Sequence, residues 1–206
     1  MLLVFDFDGV IADSNEIKTE AFAELYEPFG KEVVAKVVAY HRQNGGVSRF
    51  DKIRFFHKVF IGKEINETEV NQFADYFSGI VKDRVIKANE IRGVGRFLKH
   101  YCMMKRKCII NSATPEVEIK EIINLRKQAH YFSCVLGSPN TKYNNLMKAI
   151  DVFKVERKDV VFFGDAITDF QAANEAEVDF ICVNGDQAMR KLKEVTHIKD
   201  FDCFDI

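Results

Sequence analysis

The sequence predicts an α/β fold in which a parallel sheet is flanked by helices and an all-helical module follows the first strand. Three observations carry this reading. Leu2, Leu3, Val4, Phe5 and Phe7 make an apolar run suited to a strand covered on both faces. From about residue 90 onward, short apolar runs alternate with helical patterns, the order that builds a parallel sheet. Between residue 14 and about 88, helix follows helix with no convincing strand. With 206 residues, 47% hydrophobic content and 19 Phe, the chain can bury a sizeable core.

After the opening strand, "NETEVNQFADYFSGIVKDRVI" is the strongest helix. Asn66 is placed to cap it, Glu69 completes a capping box, and Val70, Phe73, Phe77, Ile80 and Val81 recur at helical spacing. Gly45-Gly46 breaks the helical region in its middle, and "GVG" at 93–95 reads as a turn back towards the sheet. "KCIIN" (107–111), "CVLG" (134–137), "VVFFGD" (160–165) and "DFICV" (179–183) read as strands. Between them "TPEVEIKEIINLRK", "YNNLMKAIDVF" and "DFQAANEA" read as helices, with Thr114 as a cap and Pro115 in a first helical position.

Charge is balanced at a formal −1, so no global field recruits nucleic acid or an anionic membrane. The five cysteines, Cys102, Cys108, Cys134, Cys182 and Cys203, are scattered and never spaced C-x-x-C, which fits reduced thiols rather than a disulfide framework or zinc site. No secretory leader and no apolar run of about 18 residues is evident, so the expectation is a cytoplasmic protein. Oligomeric state is left open.

The stretch "DFDG" ends the first strand in two carboxylates. Side chains alternate along a strand, so Asp6 and Asp8 point the same way, and Gly9 lets the chain turn sharply. Ligands of open parallel sheets bind beyond the carboxyl ends of strands. There the other strands bring Asn111 and Ser112, Lys142 before a helix, and Asp165 with Asp169 four residues on. Clustered acids repel one another and a phosphate, and Mg²⁺ resolves both conflicts through oxygen ligands. Asp6, the main-chain carbonyl of Asp8, and Asp165 are the expected ligands. The chemistry these groups suit is phosphoryl transfer: Asp6 as nucleophile, Asp8 as general acid and base, and Lys142 neutralising charge. Ser112 and nearby N–H groups, including that of Ala113, would hold the phosphate.

"DFDGV", the Ser after "CIIN", Lys142 and "GDAITD" resemble, in order, the four motifs of the haloacid dehalogenase-like superfamily. The resemblance implies a Rossmann-like core from residues 1–13 and 89–206 and an inserted helical cap over 14–88. It implies the nucleophile at Asp6, the acid/base at Asp8, the Ser/Thr and Lys motifs at Ser112 and Lys142, and metal-site acids at Asp165 and Asp169. A one-residue shift would instead put Asn111 in the phosphate slot. The family's dehalogenases lack the second acid of the first motif, so Asp8 argues against that activity. "DGVIADSNE" and "GGVSR" are similar to β-phosphoglucomutase and related phosphatases, making Arg49 a candidate to grip an anionic group. Lys18 stands where the mutase typically has His, which favours hydrolysis while leaving Lys18 a candidate substrate contact. The expected function is thus a Mg²⁺-dependent phosphatase of a small phosphomonoester, with a phosphomutase as the alternative.

Overall fold

The computed structural model describes residues 1–185, 188–202 and 204. β1 (Leu2–Phe5) is wholly buried and lies centrally in the sheet. It pairs in parallel with β2 (Lys107–Pro115) on one side and with β4 (Val160–Gly164) on the other. β3 (Cys134–Ser138), β5 (Asp179–Val183) and β6 (Thr196–Ile198) extend the sheet to the order β3-β2-β1-β4-β5-β6. The chain runs outward from β1 through β2 to β3 and then returns to β1's other edge at β4. That reversal opens a crevice at the carboxyl end of β1, where such folds bind ligands.

Leu3 and Phe5 face one hydrophobic cluster while Leu2 and Val4 face another, so both sides of β1 are covered. On the first side Phe5 stacks on Phe163 with centroids 4.9 Å apart, and Phe97 meets both edge-on. Phe97 belongs to α5 (Val94–Met103), whose start follows Gly93.

Between β1 and α5 run α1 (Asn15–Tyr26), α2 (Lys31–Gln43), α3 (Arg49–Phe55), a π-helical turn (Phe56–Ile61) and α4 (Glu67–Lys87). The capping box of α4 forms as its sequence predicts: Asn66 Oδ1 accepts from Glu69 N–H, and Glu69 Oε2 accepts from Asn66 N–H. Val70, Phe77 and Val81 are buried, while Phe73 and Ile80 pack partly buried beside them. Phe22, Phe56 and Phe77 join the same continuous cluster as Phe5 and Phe7, so the helical segment is packed onto the sheet layer. The approach is close at Gly46, where an added Cβ would fall 1.7 Å from Thr168 Oγ1.

On the carboxyl side lie α6 (Glu116–Leu125), α7 (Lys142–Phe153) and α8 (Ile167–Glu175). The predicted cap of α6 is corrected here. β2 continues to Pro115, which pairs with Ser138 after a register irregularity, so Pro115 occupies the cap position and Thr114 remains in the strand. β6 escapes the sequence reading because its three residues, two exposed and one half-buried, carry no apolar pattern. Cys203 lies outside the described residues.

Candidate active site

β1's ladder continues one residue past the strand, since Asp6 N–H donates to Phe163 O at 2.8 Å. The Asp6 side chain is thereby held on a rigid element at the sheet's carboxyl edge, 5% exposed. Its Oδ2 accepts from Lys142 Nζ at 2.7 Å, and Lys142 also donates to Asp169 Oδ1. Burial, reinforced by the charges of Asp169 and Asp8, pushes the Asp6 carboxyl up to about 7 despite the ammonium beside it. Although burial opposes it, the Asp169 and Asp6 carboxylates hold the Lys142 ammonium above its usual range.

Asp8 sits in a different environment. Its Oδ1 accepts from Ser14 Oγ at 2.6 Å, and its Oδ2 accepts from Lys18 Nζ and, at 3.4 Å, from Thr114 Oγ1. Burial alone would raise this carboxyl, but the Lys18 charge and these hydrogen bonds outweigh it and hold Asp8 below its ordinary value. Two acids one residue apart are therefore driven in opposite directions, a pattern found where a nucleophile and an acid/base divide the work. Gly9, with φ +75°, makes the turn possible: a Cβ there would sit 2.2 Å from Asp165 Oδ2.

Asp165, half-buried at the end of β4, accepts from Asn15 Nδ2 at 2.6 Å. Burial and then the charges of Asp6 and Asp169 raise its carboxyl well above normal. Carboxylate oxygens of Asp6, Asp165 and Asp169 all lie within 4.8 Å of one another. An all-oxygen donor set of this kind, partly buried and short of positive charge at Asp165, fits a hard divalent cation. The Asp8 side chain is turned away from this trio towards Lys18, so among the expected acids it is the one outside the cluster.

The remaining candidates are distributed as follows. Asn111 is fully buried, donating to Lys142 O at 2.8 Å and accepting from Asn145 Nδ2 at 3.2 Å. It anchors the first turn of α7 and is committed away from a phosphate slot. Ser112, its neighbour on the opposite strand face, accepts from Thr114 N–H at 3.1 Å. Ala113 and Thr114 line a cavity of about 390 Å³ that Asp6, Asp8, Asp165 and Lys18 also wall. Arg49 lines it from the helical segment, yet its guanidinium is engaged: Nη2 meets Glu118 Oε1 at 2.6 Å and Nη1 meets Glu118 Oε2 at 2.8 Å. Ser78 completes that cluster by donating to Glu118 Oε2 at 2.6 Å. Arg49, the candidate to grip an anionic group, is thus placed in a pair that links α3 to α6. Lys18 is likewise committed to Asp8 and, at 3.0 Å, to Thr114 Oγ1. Sequence reasoning passed over Ser14, Asn15, Thr114 and Glu118; only Ser14 and Asn15, next to the first motif, gave any signal of place.

Residues 3–183 match the family model described as haloacid dehalogenase-like hydrolase. The chain belongs to this family. No curated protein matches the chain. Among solved structures, this haloacid dehalogenase-like hydrolase is similar to β-phosphoglucomutase from Clostridium difficile, with TM-score 0.81 and 18% identity over 100% of this chain and 93% of that one. It is also similar to a predicted phosphatase from Clostridium acetobutylicum (TM-score 0.76, 19% identity, 98% and 94% covered). A predicted phosphoglycolate phosphatase from Haemophilus somnus 129pt matches with TM-score 0.76 and 16% identity, covering 98% and 94%. At these identities the likeness shows the fold of the haloacid dehalogenase-like hydrolases, and the residues of this chain must carry the chemistry.

Proposed function

We propose that this haloacid dehalogenase-like hydrolase is a Mg²⁺-dependent phosphatase acting on a small phosphomonoester. The observation that carries the reading is the Asp6–Lys142 contact at 2.7 Å beside an Asp8 bonded to Lys18, both at one cavity. An Asp6 carboxylate oxygen attacks phosphorus, and the bond from phosphorus to the ester oxygen breaks. The departing oxygen takes a proton from the protonated form of Asp8, which has picked that proton up from solvent beforehand. Water then attacks the aspartyl-phosphate, Asp8 takes the water's proton, and phosphate leaves with Asp6 restored. Because Lys18 favours ionised Asp8, the resting electrostatics suit this second half best. Lys142 offsets charge on Asp6 and on the phosphoryl oxygens, while Asp169 and Asn111 hold it in place. Ala113 lines the cavity, and its backbone N–H would serve as a phosphate donor. Asp6 and Asp165, with Asp169 and the Asp8 carbonyl beside them, would hold Mg²⁺, which when bound neutralises the acids and the incoming phosphate. Residues 14–88 act as a cap over a core of 1–13 and 89–206, excluding bulk water from the cavity.

Phosphate release from p-nitrophenyl phosphate and a metabolite panel, with Mg²⁺ or with EDTA, tests the proposal. Turnover that needs Mg²⁺ and falls to background in Asp6→Asn is expected. Isomer formation without phosphate release would instead reveal a phosphomutase, and activity surviving Asp6→Asn would overturn the mechanism.

A further inference from the structure

Lys52, on α3, is 1% exposed and has no acidic partner among the described residues. Its Nζ lies 2.9 Å from His41 Nδ1 and 3.1 Å from Gly45 O, and neither carries negative charge. His41 is itself buried, and burial and then the Lys52 and Lys18 charges push its ring down to about 2, so it stays neutral beside Lys52. Burial and then the Lys18 charge also hold the Lys52 ammonium well below its usual range, a cost that an anion beside it removes. A buried lysine without a carboxylate is costly, and an apolar residue of similar volume would serve packing better.

The position explains the cost. Lys52 and His41 wall the same cavity as Asp6, Asp8 and Asp165. Three other cations of that wall already have acids, Arg49 with Glu118, Lys18 with Asp8 and Arg42 with Glu16, and Arg190 donates to Gly185 O. An ammonium has three N–H donors. Two are directed to His41 and Gly45, which leaves one for a ligand. That donor can meet one oxygen of an anion. Because Arg49 and Lys18 are already committed to Glu118 and Asp8, the further donors a phosphate dianion takes are not free beside it, which suits a carboxylate better.

We propose that Lys52, oriented by His41, is a receptor for a carboxylate on the part of the substrate that departs with the ester oxygen. The inference rests on the phosphatase reading and narrows its substrate to phosphorylated hydroxy acids or sugar acids.

Calorimetry on the Asp6→Asn protein with Mg²⁺ reads this without turnover, using two matched pairs: 3-phosphoglycerate against glycerol 3-phosphate, and phosphoglycolate against ethyl phosphate. The carboxylated member of at least one pair is expected to bind about tenfold tighter or more, the scale of a charge-assisted hydrogen bond. That ratio should collapse towards one when Lys52→Met is added. Lys52→Gln, which keeps a donor for His41 and loses the charge, reads the same ratio should the Met variant fail to fold. Equal affinities within both pairs, or a preference untouched by either substitution, overturns the receptor. So does a larger gain from a second phosphate, measured with glucose 1,6-bisphosphate against glucose 6-phosphate. Phosphate release by the unmodified protein is scored separately. A carboxylate preference without turnover sinks the phosphatase reading and keeps the receptor, whereas turnover without preference does the reverse.

Discussion

Lys142 Nζ lies 2.7 Å from Asp6 Oδ2 and also donates to Asp169, three buried charges on three different elements meeting at the carboxyl edge of β1. One cation thereby holds two acids together. Removing it leaves the acids facing one another in a dry setting. Lys142→Met should cost about 3–5 kcal/mol of unfolding free energy, the range for breaking a buried pair by deleting one partner. Urea unfolding of the metal-free protein measures it, and a loss below about 1 kcal/mol would mean that solvent already screens the cluster.

Stability should depend on pH through Asp6. Its carboxyl rises from 3.8 to about 7 on folding, so between those values the folded chain keeps a proton that the unfolded chain releases. Metal-free stability should therefore fall as pH rises from about 4 to about 7, by roughly 1–4 kcal/mol. Asp165, also raised, adds in the same direction. Asp8 is lowered and works oppositely: its contribution is present above pH 4 and is lost on acidification below that. Denaturant midpoints across this range in Asp6→Asn should give a flatter curve than in the unmodified chain.

Mg²⁺ should relieve the same repulsion. At a hundred times its dissociation constant it should add about 2.7 kcal/mol, seen as a rise in thermal midpoint. Asp165→Asn, which removes the acid with no cation beside it, should abolish most of that rise. An equal rise in the variant would place the ion elsewhere.

Lys18 sets the protonation of Asp8. Replacing Lys18 with Gln removes the largest influence that keeps this carboxyl low, and burial, opposed then only by the Ser14 hydrogen bond and the more distant Lys142 charge, raises it. The acidic limb of the kcat profile should move to higher pH when hydrolysis of the aspartyl-phosphate, in which Asp8 acts as base, limits turnover. A lower plateau with an unmoved limb would show that Lys18 only contacts substrate.

Arg49 and Glu118 form a two-pronged pair, with side chains 4% and 12% exposed, that ties the helical segment to α6. Either single substitution to Ala should be strongly destabilising because it strands the other charge, while the double substitution should cost less than the sum. A double-mutant cycle is expected to show coupling of about 1–3 kcal/mol.

What the sequence by itself determined is the local and periodic part of this protein. The apolar run of β1, the Asn66–Glu69 capping box and the strand–helix alternation depend on residues within a few positions of one another. The placement of Asp6, Asp165 and Lys142 at one sheet edge was also legible, because parallel topology brings strand ends together whatever the details. Tertiary structure alone decided which charges pair. Lys18 meets Asp8, Arg49 meets Glu118, and Lys52 meets no acid among the described residues, while the sequence offered each of these cations many acids. Thr114 was misread for a related reason: its strand partner, β3, is distant in sequence, and pairing with it outweighed the local preference for a cap. Ion pairs are short-ranged and side chains long, so an ångström of packing chooses the partner, and no periodicity along the chain records that choice.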